Sequence, residues 1–449
     1  MNIFILGGGR AGYHLARLLS EENYDVTVIE RDPEHQEYID QMLNARVLLG
    51  DGASALFLQS IDIAGADLFI ACTGRDETNL LAATAAKGLG AKQVVARVEK
   101  APYMVESYMY DQLLNIDYIL SPDALVAQEI SNYALHPGVL ISEEFSHGHI
   151  LLRQVQVAAD APANGQLLSE VLQPDNGALA GVIERQGKVF VPDGTTRIAV
   201  GDKVSLLSKR ETMSEALSKF QGRVSTIQRV AIMGAGTIGL WIAHALEKKV
   251  SEVKLFERES ERARLVAGEF QKRNIQVIHR DATSRNSMEQ EHLDSFDLFI
   301  ATTEDDERNI LAGVLAREVG VSSVAAVVHH VDFAPLAEKL GINITVTPRS
   351  MIAGSVLKIV RQKTVAASAT LNEGDAEILE ITVHEHSPLK GVMLKNSKGK
   401  LPARVLVATV LRDNDTFIPN GNTVIREGDS LILIATTENI HEVRKFFQR

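Results

Sequence analysis

The sequence predicts an α/β protein built from two tandem Rossmann-like, doubly wound parallel sheets, each followed by a small α+β module. Three observations carry this. A glycine-rich loop, Gly7-Gly8-Gly9-Arg10-Ala11-Gly12, follows a short apolar run, and it returns as Gly234-Ala235-Gly236-Thr237-Ile238-Gly239 at an offset of 227. DLFIACTGRDETNLLAATAA, from Asp67, matches DLFIATTEDDERNILAGVLA, from Asp297, with twelve of twenty positions identical. Further on, VPDGTTRIAVGD from Val191 answers IPNGNTVIREGD from Ile418. The repeat unit is thus about half of the 449-residue chain and has two parts.

The first part alternates strand and helix. Strands are predicted at 2–6, 25–30, 46–49, 67–72, 93–98 and 117–120, short and rich in Val, Ile and Leu, as parallel strands buried on both faces should be. Helical patterns separate them at 11–20, 33–43, 78–89 and 122–134. Ser121 can cap the last of these, and Pro122 then takes the first helical position, where its missing N–H costs nothing. From about Gly138 to Phe220 the pattern changes to short β-like runs, ILLRQVQV, ALAGVIE, KVFVP and DKVSLLS, punctuated by turns such as Pro192-Asp193-Gly194-Thr195 and closed by a helix at 212–220. The expected domains are 1–136, 137–222, 227–350 and 366–449, with a linker at 223–227.

A formal charge of −12 argues against nucleic acid as the main partner. Cys72 is the one cysteine, so no disulfide forms within the chain, and a reducing cytosol fits. No run of 18 apolar residues exists to span a bilayer.

In each loop the chemistry is that of phosphate binding. Gly7 permits a tight turn, Gly9 a close backbone approach to a pyrophosphate, and Gly12 close helix packing. Unpaired N–H groups at the helix start, here from Arg10 and Ala11, and the positive end of the helix dipole then face the phosphates. Glu30, 18 residues after Gly12, stands where an acid holds ribose hydroxyls and repels a 2′-phosphate, which favours NAD(H) over NADP; Arg31 weakens that exclusion a little. A guanidinium at Arg10 also suits a terminal phosphate, so ATP or ADP is the alternative ligand. The second loop keeps Gly234, Gly236, Gly239 and Glu257 but has Ala235 for Gly8, Thr237 for Arg10, Ile238 for Ala11 and Val327 for Arg97. Fewer cations there predict weaker phosphate binding.

Asp51 and its counterpart Asp281 end the third strands, as acceptors for an adenine amino group or as turn acids. Cys72-Thr73 and Thr302-Thr303 end the fourth strands beside the cleft; Cys72 reads as a small packed residue rather than a reactive one. Thr73 and Asp76 resemble a helix-start capping pattern, as do Thr303 and Asp306, and Asn79 reads as structural. His329 and His330 are placed on a strand, where adjacent residues point to opposite faces and cannot line one site. No catalytic residue or metal cluster is assigned. A two-domain oxidoreductase is the competing class, and it needs a proton-transferring group beside the nicotinamide.

With the doubled glycine loops, the doubled DLFIA(C/T)T…DE(T/R)N(L/I)LA segments and the GD(K/S) strands, the chain resembles, over essentially its whole length, the tandem RCK (also called KTN) family of Trk potassium-uptake regulators. The resemblance implies a non-enzymatic, nucleotide-sensing subunit, peripheral on the cytoplasmic face of a membrane potassium transporter of TrkH/TrkG type. It implies NAD(H) and adenine nucleotides as ligands at Gly7–Gly12, Glu30, Asp51, Cys72-Thr73 and Arg97, and at Gly234–Gly239, Glu257, Asp281 and Thr302-Thr303. It also implies a homodimer forming a four-domain ring, with the helices after Ser121 and Thr347 as pairing surfaces. A different monovalent-cation channel or an efflux system fits the same fold.

Overall fold

The computed structural model describes residues 1–145, 148–172, 177–222, 226–270, 274–362, 367–371, 376–397, 401, 405–412 and 415–436. These form two compact units, Met1–Leu135 with Ile227–Leu357, and His136–Thr226 with Lys358–Arg449. Positions 223–225 of the expected linker, and 437–449 of the last expected domain, lie outside the described residues.

The first unit holds two six-stranded parallel sheets. One is β1 (Asn2–Leu6), β2 (Asp25–Glu30), β3 (Arg46–Leu49), β4 (Leu68–Ala71), β5 (Val94–Arg97) and β6 (Tyr118–Leu120), in the order β3-β2-β1-β4-β5-β6. The strand order reverses between β1 and β4, where Leu6 pairs with Ala71, and a crevice opens at the carboxyl ends of these two strands. The helices expected in the sequence are present, at Arg10–Glu21, Pro33–Met42, Asp76–Gly88 and Pro122–Leu135. Three more, Ala55–Ser60, Ala101–Val105 and Ser107–Leu114, were not expected. They are short, and Val105, Tyr108, Met109 and Leu113 are exposed, so no apolar stripe of helical period marks them.

In the second unit, described by itself, β7 (Val139–Phe145), β8 (Ile150–Gln156), β9 (Ala178–Arg185), β10 (Lys188–Phe190) and β11 (Lys203–Lys209) form an antiparallel sheet in the order β10-β9-β11-β8-β7. Its helix is Arg210–Phe220. Strand β7, VLISEEF, was not expected, because its polar positions break the apolar run. The recurring Gly-Asp step has a structural reason. Asp202 is buried and accepts two bonds of 2.7 Å from the Arg185 guanidinium. Gly201 before it holds a φ of +84°, which favours glycine.

Back in the first unit, the second copy is β12 (Arg229–Met233), β13 (Glu252–Glu257), β14 (Ile275–His279), β15 (Leu298–Ala301), β16 (Ser323–Val327) and β17 (Ile344–Val346), ordered β14-β13-β12-β15-β16-β17. Alternate residues of β12 point to opposite faces. Ala231 and Met233 pack with Ile310 and Ala316 of the helix Asp306–Val319. Val230 and Ile232 pack with Ile242 and Leu246 of the helix Thr237–Leu246, and with Val126, Ile130 and Ala134 of the first copy's last helix. That helix, Pro122–Leu135, is therefore a pairing surface inside the chain: it enters the core of the second copy. Burying Val126 and Ile130 contributes about 2 kcal/mol each. The second antiparallel sheet, in the other unit, is β18 (Ala367–Leu371), β19 (Ala376–Thr382), β20 (Val405–Arg412), β21 (Asp415–Phe417) and β22 (Ser430–Thr436), ordered β18-β19-β22-β20-β21. It repeats the topology of the first module, and Arg412 holds Asp429 as Arg185 holds Asp202. Among the described residues no helix is long and apolar enough to cross a membrane.

Candidate nucleotide-binding site

The first glycine loop leaves β1 at the point where the strand order reverses. Gly7 has a φ of +99°, and the N–H of Cys72 donates to the Leu6 carbonyl at 2.8 Å, tying the loop to the end of β4. A Cβ on Gly12 would lie 1.9 Å from the Gly7 oxygen, so only glycine lets the helix start this close to the turn. Gly9 differs: a Cβ there would meet no protein atom within 4 Å. Packing does not require glycine at that position, and the space beside it is open. Gly9 is also the N-cap of the helix Arg10–Glu21, and no side chain caps that end. The second copy repeats this geometry, with Gly234 at a φ of +103°, Gly239 facing the Gly234 oxygen at 2.0 Å, and Gly236 as an open N-cap.

Glu30 ends β2 beneath the loop. Its Oε2 accepts from the Gly8 N–H at 2.8 Å, and its Oε1 from the N–H groups of Arg31 and Asp32 at 2.7 and 3.0 Å. Glu257 holds the Ala235 N–H in the same way at 3.3 Å. The acid thus sets the loop's height besides standing at the cleft. Asp51 accepts from the Ala53 N–H at 3.0 Å, the geometry of a turn acid. Asp281 accepts from Thr283 and from Arg308; burial alone would raise its carboxyl, but those bonds outweigh burial and hold it below the ordinary range.

A cleft of about 250 Å³ brings together Gly7, Gly9, Glu30, Arg31, Asp51 and Cys72-Thr73. Arg10, Ala11 and Arg97 line an adjoining cavity of about 360 Å³, and Gly8 a third of about 420 Å³. Gly12 lies buried behind the loop. In the second copy one cleft of about 590 Å³ gathers Gly234, Gly236, Thr237, Glu257, Asp281 and Thr302-Thr303. Ala235 and Ile238 are buried instead, as is Gly239.

Several expectations are corrected. The second cleft is not short of cations, because Arg258, Arg262, Arg280 and Arg308 line it. Three of them are engaged by the protein: Arg262 with the Ala235 carbonyl at 2.8 Å, Arg280 with Glu291 and Arg308 with Asp281. Arg258 could have been found, since it follows Glu257 as Arg31 follows Glu30. Thr73 does not cap the next helix, which begins at Asp76 with Arg75 as an uncapped N-cap. In the second copy Asp305, not Thr303, caps by accepting from the Arg308 N–H at 3.0 Å. His329 and His330 are not on a strand. β16 ends at Val327, and both rings turn onto the buried Asp306, each Nδ1 lying 2.9 Å from one of its oxygens.

The motif residues the sequence marked as structural prove so in detail. Asn79, fully buried, accepts from the Thr73 N–H at 2.8 Å and its hydroxyl at 2.7 Å, and donates to the Thr73 and Arg97 carbonyls at 3.0 and 2.8 Å. It staples the ends of β4 and β5, as Asn309 does in the second copy. Asp76 accepts from the N–H groups of Glu99 and Lys100. Cys72 is buried, and desolvation pushes its thiol up to about 11, too high for a nucleophile at neutral pH.

Asp306 gives a pH prediction. Burial would raise its carboxyl, but four bonds from His329 and His330 overcome that and depress it. A carboxyl depressed by folding stabilises the protein above its unfolded value, about 3.9, and that stabilisation is lost as pH falls through the folded value. Urea unfolding of the wild type is expected to lose stability more steeply between about pH 5 and 3 than that of Asp306→Asn; equal slopes would show that this carboxyl is not coupled to folding.

Comparison with known proteins agrees with the repeat. The TrkA-N domain model matches residues 3–122 and 230–348, and the TrkA-C domain model 152–221 and 378–448. A Trk system potassium uptake protein TrkA homolog of Archaeoglobus fulgidus is 33% identical over 448 residues, covering 100% of each chain. Trk system potassium uptake protein TrkA of Haemophilus influenzae is 30% identical over 458 residues, covering 100% of this chain and 99% of its own. Among solved structures, the GsuK channel bound to NAD has a TM-score of 0.66 at 18% identity, covering 100% of this chain and 79% of that one. The GsuK RCK domain has a TM-score of 0.65 at 18% identity, covering 99% and 95%. At that identity the likeness concerns the fold. The tandem parallel sheets, their antiparallel modules and domain matches over most of both halves lead to one conclusion: the chain belongs to the TrkA family.

Proposed function

We propose that this protein is a nucleotide-sensing regulatory subunit that gates a membrane potassium uptake transporter of TrkH/TrkG type, working at the cytoplasmic face as a homodimer. The observation that carries the reading is the doubled loop with an uncapped helix start and a glycine whose missing side chain faces no protein atom. Gly7–Gly12, Glu30, Arg31, Asp51, Cys72-Thr73 and Arg97 would hold NAD(H), or ATP or ADP, in the first copy. Gly234–Gly239, Glu257, Asp281 and Thr302-Thr303 would do so in the second. The domain limits 1–136, 137–222, 227–350 and 366–449 belong to the same proposal.

A sensor suits the cleft better than an enzyme. Its buried polar groups, Asn79 and Asp76, spend their hydrogen bonds on backbone, and its cysteine is held neutral. The names of full-length relatives supply the potassium transporter, and the NAD-bound GsuK channel supports the dinucleotide. A ligand gates only by its differential affinity for two arrangements of the domains. Calorimetric titration with NADH and with ATP, followed by rubidium flux into vesicles holding the transporter, tests this. Saturable binding without turnover, and flux that follows it, is the expected result. Glu30→Ala is expected to weaken NADH binding at least about tenfold, because it removes the ribose acceptor and frees the Gly8 N–H. Unchanged affinity would take Glu30 out of the site.

A further inference from the structure

The carboxylate that ends the second strand of each parallel sheet has a nitrogen partner on the helix that follows, and the two copies use different residues for it. His35 and Arg262 stand at the same offset of 227 as Glu30 and Glu257. His35 lies in the first turn of the helix Pro33–Met42, and its Nδ1 is 3.7 Å from Glu30 Oε2. Arg262, in the first turn of the helix Ser260–Glu269, places its Nε 3.8 Å from Glu257 Oε2. In both copies this is the oxygen that accepts the loop N–H, from Gly8 or from Ala235. Arg262 is permanently charged, and it donates twice more to the Ala235 carbonyl. An imidazole in its place gains and loses its charge between about pH 5 and 8.

His35 lines the first cleft with Gly7, Gly9, Glu30 and Asp51, and it also lines the adjoining cavity of about 420 Å³. The charged groups around it come from every neighbouring element. Glu30, Arg31, Asp51 and Arg75 share the cleft with it. Arg10, Tyr13, His14 and Arg17 of the helix Arg10–Glu21 share the cavity, with Tyr38 of its own helix and His330, Asp332 and Arg349 of the second copy. Arginines outnumber carboxylates on these walls. Without a ligand they oppose a further positive charge, and a bound phosphate offsets them. The two other imidazoles of the cavity are constrained. Burial first, then Arg17 and Arg349, hold His14 below the ordinary value, so it adds little charge near neutral pH. His330 is bonded to Asp306.

We infer that His35 is a ligand-binding residue of the first cleft and makes that site proton-linked, whereas Arg262 keeps the second site independent of pH. The inference rests on the nucleotide reading above and deepens it. With the proton on, the imidazolium neutralises Glu30 at Oε2, and that carboxylate no longer repels the phosphates of an anionic nucleotide. With the proton off, the repulsion returns. The sign follows from linkage. The bound state holds the proton more tightly than the free state, so affinity rises as pH falls from about 8 to 6 and is lost as pH rises again. Proton and ligand therefore enter together, and each strengthens the other by the same factor. The first copy reports nucleotide and acidity at once, and the second reports nucleotide alone.

The test is calorimetric titration of the full-length protein with NAD+ and with ATP at about pH 6, 7 and 8. A Gly236→Ala background, whose added methyl meets no protein atom, closes the second loop to ligand so that the first is read alone. NAD+ carries no group that titrates in this range. For ATP, the ratio between His35 protein and variant cancels the titration of its own terminal phosphate. With His35 present, affinity is expected to rise at least about threefold from the alkaline to the acid end. His35→Gln is expected to show no rise, and His35→Arg to hold the acid-end affinity throughout. His14→Gln and His330→Gln are expected to keep the rise. Thermal melting at each pH identifies any variant whose fold is altered, and His35→Arg, which copies the second helix, carries the test should the glutamine destabilise. No rise with His35 present, or an equal rise in His35→Gln, overturns the inference, as does a rise lost in His14→Gln or His330→Gln instead. Wild-type protein that binds neither ligand at any pH removes the nucleotide reading and this inference with it; binding whose pH profile ignores His35 removes the inference alone.

Discussion

Gly12→Ala is expected to abolish ligand binding at the first loop and to lower stability by about 3 kcal/mol. The new methyl would sit 1.9 Å from the Gly7 oxygen, a backbone atom in a turn already fixed by a φ of +99°. Neither partner can yield alone. The helix start must retreat from β1, which moves the open N–H groups away from any phosphate and disturbs the core around Leu15 and Leu19. Gly9→Ala is the informative companion. Its Cβ meets no protein atom, and its φ of −58° suits any residue, so stability should stay within about 0.5 kcal/mol of the wild type. Binding of NADH or ATP should nonetheless fall at least about tenfold, because the methyl fills the space the ligand needs. Urea denaturation and calorimetry on the two variants separate the roles. A Gly9→Ala protein that binds normally would mean that no pyrophosphate approaches this loop.

The second large effect is expected from Asn79→Ala, with a loss of about 2–4 kcal/mol. Four hydrogen bonds disappear, and the Thr73 N–H and the Thr73 and Arg97 carbonyls lose this partner at a fully buried position. The ends of β4 and β5 then lose this staple, while the bond from the Arg97 guanidinium to the Thr73 carbonyl at 3.2 Å remains. Asn309→Ala should cost a similar amount through Thr303 and Val327. Asn79→Asp keeps the acceptor and loses the donor, so it should fall between. Denaturant unfolding measures all three, and a change below about 0.5 kcal/mol in Asn79→Ala would show that the staple carries no stability.

Much of this was legible before any coordinates. Residues 2–6, 25–30 and 46–49 read as buried strands because apolar runs of that length, bounded by turn residues, have few other folded uses, and β1, β2 and β3 occupy those positions. The glycine loops were legible because φ near +100° and contacts of 1.9 and 2.0 Å leave one residue type. Ser121-Pro122 announced its helix through capping, a matter of adjacent residues. Each of these features is local, and its cause lies within a few positions of the residue that shows it.

What stayed hidden is what the fold brings together from far apart. The sequence placed His329 and His330 on opposite faces of a strand, and ending β16 at Val327 turned both onto Asp306, 23 and 24 residues away. Arg258 and Arg262, Arg280, and Arg308 come from three separate stretches of chain to line one cleft, and three of the four are then drawn into bonds with the protein's own groups. Arg349 reaches a loop more than 300 residues earlier because the last helix of one copy is built into the neighbourhood of the other. Backbone preferences and periodicity act over one or two turns of chain, so they determine elements and loops. Which charges share a cavity is set by how two sheets lock together, and that depends on side-chain packing over the whole first unit.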